Sequence, residues 1–100
     1  MKIPEKLKIG GKIYTVEITD KLYLGKANCS AEILFEDLII RVSPQAKEKM
    51  ETDFLHEMMH GIFNFLGYRD ESEKQIDELA NALYMVICEN PKLLKDGEAE

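Results

Sequence analysis

The sequence predicts an α+β fold, in which a small N-terminal sheet packs on two C-terminal helices. In the first half of the chain, short runs alternate apolar and polar residues; in the second half, apolar residues recur three and four apart. The two patterns occupy separate halves, and strands followed by helices indicate an α+β arrangement. The 100 residues suffice for a single domain with one modest core.

Three to five short, mostly antiparallel strands are expected in residues 1–42, the β-rich part of the domain. The segment KLKIGGKIYTVEI contains two β-prone runs around Gly10 and Gly11, which suit a two-residue hairpin turn. A second pair of runs, SAEILF and LIIRV, flanks a tight turn near Glu36 and Asp37. Connections this short join antiparallel neighbours, so both pairs are expected to be hairpins.

The first helix is expected over residues 44–66. Ser43 is the predicted N-cap, with Pro44 at the first helical position, where its missing N–H has no consequence. Gly67 is the predicted end, because glycine adopts the left-handed conformation that terminates helices.

The second helix is expected over residues 73–89. Ser72 and Gln75 have the spacing of a capping box, and Pro91 disfavours helix at the preceding residue, so residues 91–100 are expected to form a polar tail. Helical periodicity predicts that its buried stripe comprises Ile76, Leu79, Ala80, Leu83, Tyr84, Val86 and Ile87.

Composition and charge exclude several classes of function. The net charge of -6 argues against a nucleic-acid-binding surface, which needs concentrated lysine and arginine. No apolar run approaches membrane-spanning length, and the N-terminus lacks the apolar stretch of a signal peptide. Cys29 and Cys88 are too few for a disulfide framework and lack CxxC spacing, so free thiols in the cytoplasm are expected.

Both histidines of the chain lie in the segment FLHEMMHGIF, four residues apart. Residues four apart on a helix are about 40° apart around the axis and one turn along it, so His56 and His60 can direct their imidazoles at one Zn²⁺. Glu57 projects about 100° away from His56, which suits a general base acting on a metal-bound water better than a ligand. The pattern His-Glu-x-x-His therefore predicts a zinc site with its base on one helical turn.

A catalytic zinc site normally has three protein ligands, and no third histidine exists in this chain. Glu73 is the preferred third ligand because it extends the buried stripe of the second helix to its first turn. Asp77 is one turn further on and is expected to accept a hydrogen bond from the outer nitrogen of a ligating histidine.

Other acidic residues stay open as third ligands. They are Asp70 and Glu71 in the loop, Asp77 itself, and Glu78, which periodicity turns about 155° from the centre of the stripe. Glu73 also has a competing role, since it would close a capping box if Asp70 were the N-cap.

TDFLHEMMHGIF followed by SEKQIDELANALYMVICENP resembles the small HExxH metallopeptidase-like proteins of bacteriophages and bacterial genomes, which are broadly comparable to ImmA/IrrE-type and minimal gluzincin-like domains. The resemblance covers about residues 25–95. It implies a zincin-like fold, His56, His60 and Glu73 as zinc ligands, and Glu57 as general base.

Two features of the sequence depart from the patterns of related metallopeptidases. Phe63 and Leu66 replace the glycine and third histidine of HExxHxxGxxH, and the gap from His60 to Glu73 is shorter than in thermolysin-type enzymes.

The leading hypothesis is a phage- or prophage-type zinc metallopeptidase that acts on peptide or protein substrates. An extended substrate is expected to pair with SAEILF or LIIRV, and Tyr68 and Tyr84 are the candidate oxyanion donors. One alternative is a zinc-binding interaction or regulatory module with a zincin fold and no turnover. A second is a metal-free acidic interaction protein. Mn²⁺, Co²⁺ and Ni²⁺ stay open as alternatives to Zn²⁺.

Overall fold

The structure, a computed structural model, describes residues 1–23 and 30–95 and confirms the α+β layout. Strands precede helices in this part of the chain. The elements are β1 Lys6–Ile9, β2 Lys12–Ile18, β3 Ala31–Leu34, β4 Ile39–Val42, α1 Lys47–Leu66 and α2 Glu73–Glu89. Cys29 lies outside the described residues, as does the end of the expected polar tail, residues 96–100. Cys88 is exposed.

The sheet consists of two hairpins set side by side, in the strand order β1-β2-β4-β3. Both predicted hairpins are present, with β1 antiparallel to β2 and β3 antiparallel to β4. At the first turn Gly10 and Gly11 have φ values of 56° and 89°, as expected for a turn that requires positive φ. The central pairing, β2 with β4, is parallel, which the short connections did not predict. The parallel pairing follows from the strand order, because β3 lies at the end of the sheet and its hairpin partner β4 lies between β3 and β2.

The start of α1 corrects the sequence prediction. The helix begins at Lys47, after Ala46, and no side chain caps it. Ser43 is not the N-cap, because its N–H donates to the Ser30 carbonyl at 2.8 Å and so continues the β3–β4 pairing. The end is as predicted, since Gly67 adopts φ 89° and its N–H donates to the Asn64 carbonyl.

The start of α2 confirms the predicted capping box. The Gln75 N–H donates to Ser72 Oγ at 3.1 Å, and the Ser72 N–H donates to Gln75 Oε1 at 3.2 Å. This cap makes Glu73 the first helical residue. Neither α1 nor α2 combines the length and apolar character that a bilayer-spanning helix needs.

The α1 helix lies between the sheet and α2, and both sides of it contribute to the core. Close approach to the sheet occurs at Gly61, where a Cβ atom would lie 2.7 Å from Ile9 Cδ1. The core side chains come from all layers. They are Tyr14, Ala31, Ile40 and Val42 from the sheet, Phe54 and Leu55 from α1, and Ile76 and Ala80 from α2.

The buried stripe of α2 is narrower than predicted. Ile76 and Ala80 are fully buried, and Leu83, Tyr84 and Ile87 are partly buried against the core. Leu79 and Val86 are wrong as core residues, being 45% and 40% exposed. Among the described elements α2 packs closely on α1 alone, so residues at the margins of the stripe face solvent.

We expect Ile76→Ala to lower the free energy of unfolding by about 2–4 kcal/mol, because it leaves a cavity between α2 and α1. Leu79→Ala, three residues away on the same helix, is the matched control and should cost less than about 1 kcal/mol because Leu79 is already largely hydrated. Urea unfolding of the two variants measures both values. Equal losses would contradict the observed burial of Ile76 and exposure of Leu79 on α2.

Candidate metal centre

The middle of α1 carries His56, Glu57 and His60 on one helical turn, next to the start of α2. The two imidazoles are half-buried, with side chains 18% and 20% exposed. Their ring centroids are 5.0 Å apart and the rings are tilted by 58°. The Nε2 atoms of both rings face the same residue of α2, Glu73.

The Glu73 carboxylate bridges the two imidazoles. Its Oε2 lies 3.0 Å from His56 Nε2, and its Oε1 lies 2.9 Å from His60 Nε2. The capping box at Ser72 places Glu73 in the first turn of α2, and the packing of α2 on α1 brings that turn over the histidines. One potential ligand atom from each of the three residues falls within a 4.8 Å cluster. The structure thus brings together the three residues that the sequence predicts as ligands.

The chemistry of this donor set fits Zn²⁺. Two imidazole nitrogens and one carboxylate oxygen are a common catalytic zinc set. A tetrahedral ion with bonds of about 2.0–2.1 Å separates its ligand atoms by roughly 3.4 Å. The observed separations of 2.9 and 3.0 Å, each from one imidazole nitrogen to one carboxylate oxygen, are within about 0.5 Å of this value. The Glu73 side chain is 74% exposed, so it is free to adjust its position.

The outer nitrogens of both histidines face further carboxylates. Asp77 Oδ1 lies 3.5 Å from His56 Nδ1, in the place predicted for a residue that orients a ligand. Glu71 Oε1 lies 3.9 Å from His60 Nδ1. Neither residue belongs to the cluster of ligand atoms, because each lies beside an Nδ1 atom while Glu73 lies beside both Nε2 atoms.

The remaining alternatives to Glu73 are also outside this cluster. Asp70 and Glu78 are exposed and, within residues 1–23 and 30–95, join no group of potential ligand atoms with the histidines. The competing cap role for Glu73 is absent, because Gln75 closes the box with Ser72.

Glu57 is buried in the same cleft, with only 8% of its surface exposed. Loss of hydration raises the pKa of its carboxyl from 4.5 to about 8, and the nearby negative charges of Glu73, Asp53 and Glu32 add to the effect. A carboxylate with a pKa near the ambient pH is well suited to accept and return a proton.

The cleft that contains these groups has a volume of about 230 Å³. It is formed by α1, the start of α2 and the beginning of β3. The lining residues are Ser30, Ala31, Lys49, Asp53, His56, Glu57, Glu73 and Asp77.

Asp53 and its partners form a part of the cleft that sequence reasoning missed. The Asp53 carboxylate is buried, accepts hydrogen bonds from Ser30 Oγ at 2.6 Å and Gln45 Nε2 at 2.9 Å, and forms an ion pair with Lys49. Lys49, Asp53 and Glu57 recur at intervals of four along α1, and this spacing was the signal that could have placed them on the histidine side of the helix.

The two predicted oxyanion donors lie away from this cleft. Tyr68 is 57% exposed and packs edge-on against Phe63. The Tyr84 hydroxyl donates to the buried carboxylate of Glu51 at 2.9 Å. Neither tyrosine lines the cleft, because Tyr68 lies in the exposed loop after α1 and Tyr84 lies about three turns along α2 from Glu73.

One of the two strands predicted to pair with a substrate is internal. LIIRV corresponds to β4, which has β2 on one side and β3 on the other, so its backbone groups are already paired. SAEILF corresponds to β3, which ends the sheet as the structure describes it.

Comparison of the chain with protein-family models, with curated proteins and with solved structures finds no match. The resemblance to small HExxH proteins therefore stays a prediction, and interpretation of the site depends on its geometry.

The raised pKa of Glu57 predicts a pH-dependent stability in chelator-treated protein. Between pH 4.5 and 8 the folded state holds a proton on Glu57 that the unfolded state has lost. The stabilisation relative to an ionised carboxyl is complete below pH 4.5 and is lost as pH rises through 8, by an amount on the order of a few kcal/mol. Glu57→Gln removes this titration, so the variant should gain stability relative to wild type between pH 5.5 and 8.5.

Urea unfolding at the two pH values measures this difference, and groups common to both proteins cancel. Glu78→Gln, at an exposed position of α2, is the control and should show no such gain. If the difference in unfolding free energy between Glu57→Gln and wild type were the same at pH 5.5 and 8.5, a strongly raised pKa of Glu57 would be ruled out.

Proposed function

We propose that this protein is a zinc-dependent metallopeptidase of the small phage and bacterial HExxH type, which hydrolyses peptide bonds. His56, His60 and Glu73 would hold Zn²⁺, and Glu57 would be the general base. The observation that carries the proposal is the convergence of both Nε2 atoms on one carboxylate, beside a buried glutamate in the same cleft.

Zn²⁺ supplies Lewis-acid chemistry that polarises a carbonyl and acidifies water toward neutral pH. The chain's own contribution to the reaction is proton transfer by Glu57. Its carboxylate accepts a proton from the attacking water and returns it to the leaving amine, while its burial excludes competing solvent. Asp77 keeps the His56 ring oriented through Nδ1.

A peptide is the substrate class that best suits this architecture. Two histidines and one carboxylate beside a buried glutamate are a donor set that zinc peptidases use, and all four residues contact or line the same cleft. The net charge of -6 disfavours nucleic acid as an alternative partner. A cytoplasmic location completes the proposal, supported by a cysteine content of only two.

The size of the cleft favours a second candidate function, a zinc-binding regulatory module without turnover. A volume of about 230 Å³ is below the roughly 300–1,000 Å³ of typical ligand pockets. A module of this kind would retain the metal and the fold but would hydrolyse no peptide.

Glu57→Gln separates the two candidates. For a peptidase we expect the rate of peptide hydrolysis to fall by about 10²–10⁴-fold, because the neutral amide cannot accept the water proton. Zinc content should be unchanged, because Glu57 is not one of the three clustered ligand residues. Elemental analysis and cleavage of a peptide library with stoichiometric zinc measure the two quantities.

Glu48→Gln makes the same chemical change at an exposed position of α1 and should leave hydrolysis unaltered. If wild-type protein binds zinc and cleaves no peptide in the library, the protein is a zinc-binding regulatory module and not a peptidase. If wild-type protein binds no transition metal, both zinc-dependent proposals fail.

Glu73→Ala tests the third ligand. We expect zinc affinity to fall by more than about 100-fold, exceeding the 10–100-fold typical of outer residues that orient ligands. Glu78→Ala, five residues along α2 and exposed, makes the same change in charge and should bind zinc as wild type does. Competition with a chromophoric chelator measures both affinities, and equal affinities would remove Glu73 from the site.

A further inference from the structure

The Glu71 side chain is 16% exposed, but one oxygen of its carboxylate is buried and unpaired. Its Oε2 atom is inaccessible to solvent and has no hydrogen-bond partner among the residues that the structure describes. Its Oε1 atom lies 3.9 Å from His60 Nδ1, beyond hydrogen-bond distance. A buried acceptor left unpaired is unfavourable, so its retention beside a histidine calls for a physical reason.

The reason lies in the two nitrogens of His60. Nε2 lies 2.9 Å from Glu73 Oε1, while Nδ1, on the other side of the ring, faces Glu71. A neutral imidazole carries one proton. When that proton is on Nε2 and donates to Glu73, Nδ1 presents a lone pair to Glu71 and cannot donate. In this tautomer Glu71 Oε1 receives no hydrogen bond from Nδ1, in agreement with their separation of 3.9 Å.

An ion held at Nε2 reverses the arrangement. The neutral imidazole then carries its proton on Nδ1, which becomes a donor directed at Glu71. A movement of less than 1 Å would bring Oε1 from 3.9 Å to ordinary hydrogen-bond distance.

We infer that Glu71 is the positioning residue of His60, an inference that rests on the metal site proposed above. In the metal-loaded protein its carboxylate accepts the Nδ1–H of His60, fixes the ring orientation and strengthens the hold of Nε2 on the ion. Glu71 orients His60 as Asp77 orients His56. Glu71 lies in the loop before α2, whereas Asp77 lies on α2.

One short segment therefore serves three purposes. Glu71 orients a ligand, Ser72 caps α2, and Glu73 is a ligand. Because these three residues are consecutive, the cap that starts α2 also sets the distance between Glu73, which faces Nε2 of His60, and Glu71, which faces its Nδ1.

The inference predicts opposite effects in the metal-free and metal-loaded protein. Zinc affinity, measured by competition with a chromophoric chelator, should fall about 10–100-fold in Glu71→Ala. Glu71→Gln retains an oxygen acceptor and should lose less. Asp70→Ala is the matched control, since it removes the same charge from the neighbouring exposed position and should bind zinc within about twofold of wild type.

Without metal, Glu71→Gln should be at least as stable to urea as wild type, because it removes an unpaired buried carboxylate. A residue that merely maintains the fold would lower this stability. A third readout is spectroscopic: nitrogen-15 NMR of zinc-loaded wild type should show the His60 proton on Nδ1, with faster exchange in Glu71→Ala.

Zinc affinity of Glu71→Ala equal to that of Asp70→Ala would overturn the inference and leave the metal site intact. A loss of zinc affinity in Glu71→Ala would also fail to support the inference if metal-free Glu71→Gln were less stable to urea than wild type. That result would assign Glu71 a structural role and overturn the inference. Failure of the proposed function itself is distinguishable, because it would appear in wild type as absence of zinc binding.

Discussion

The packing of α2 on α1 is the constraint on which the candidate site depends. Ile76 and Ala80 are fully buried against α1, and they fix where the first turn of α2 lies. That turn carries Glu73, whose two oxygens contact the two histidines at 3.0 and 2.9 Å. The site is therefore coupled to the hydrophobic core, because a change in the position of α2 would move the carboxylate relative to the imidazoles.

Electrostatic repulsion in the cleft is the second organising feature. Glu57 is buried in the neighbourhood of Glu73, Asp53 and Glu32, and its pKa is raised to about 8. Among the described residues that line the cleft, Lys49 is the single lysine or arginine, and it is paired with Asp53. A divalent cation would offset this excess of negative charge. The same repulsion that penalises the metal-free state thus contributes to affinity for an ion.

Each histidine is held between two carboxylates in the described structure. Glu73 contacts the inner nitrogen of both rings, while Asp77 and Glu71 face the outer nitrogens. All three acidic residues lie within residues 71–77, around the capped start of one helix. A short segment therefore supplies the charge and the orientation that the histidines need, and α1 supplies the histidines and the base.

Local patterns in the sequence were sufficient for much of this organisation. The two hairpins, the extent of α2 with its capping box, and the placement of His56 and His60 on one face all follow from residue spacing, because backbone geometry fixes which neighbours share a face. Periodicity also brought Glu73 and Asp77 to the correct side of α2.

Tertiary structure decided what depends on contacts between distant segments. The parallel pairing of β2 with β4 and the late start of α1, where the Ser43 N–H bonds to Ser30, depend on how the hairpins meet. Exposure of Leu79 follows from the absence of close packing on the outer side of α2 among the described elements. The position of Glu71 beside His60 depends on how the loop before α2 packs, and the burial of Asp53 depends on its contacts with Ser30 and Gln45. The sequence by itself determined which side chains each element presents, whereas the packing of the layers determined which of them meet.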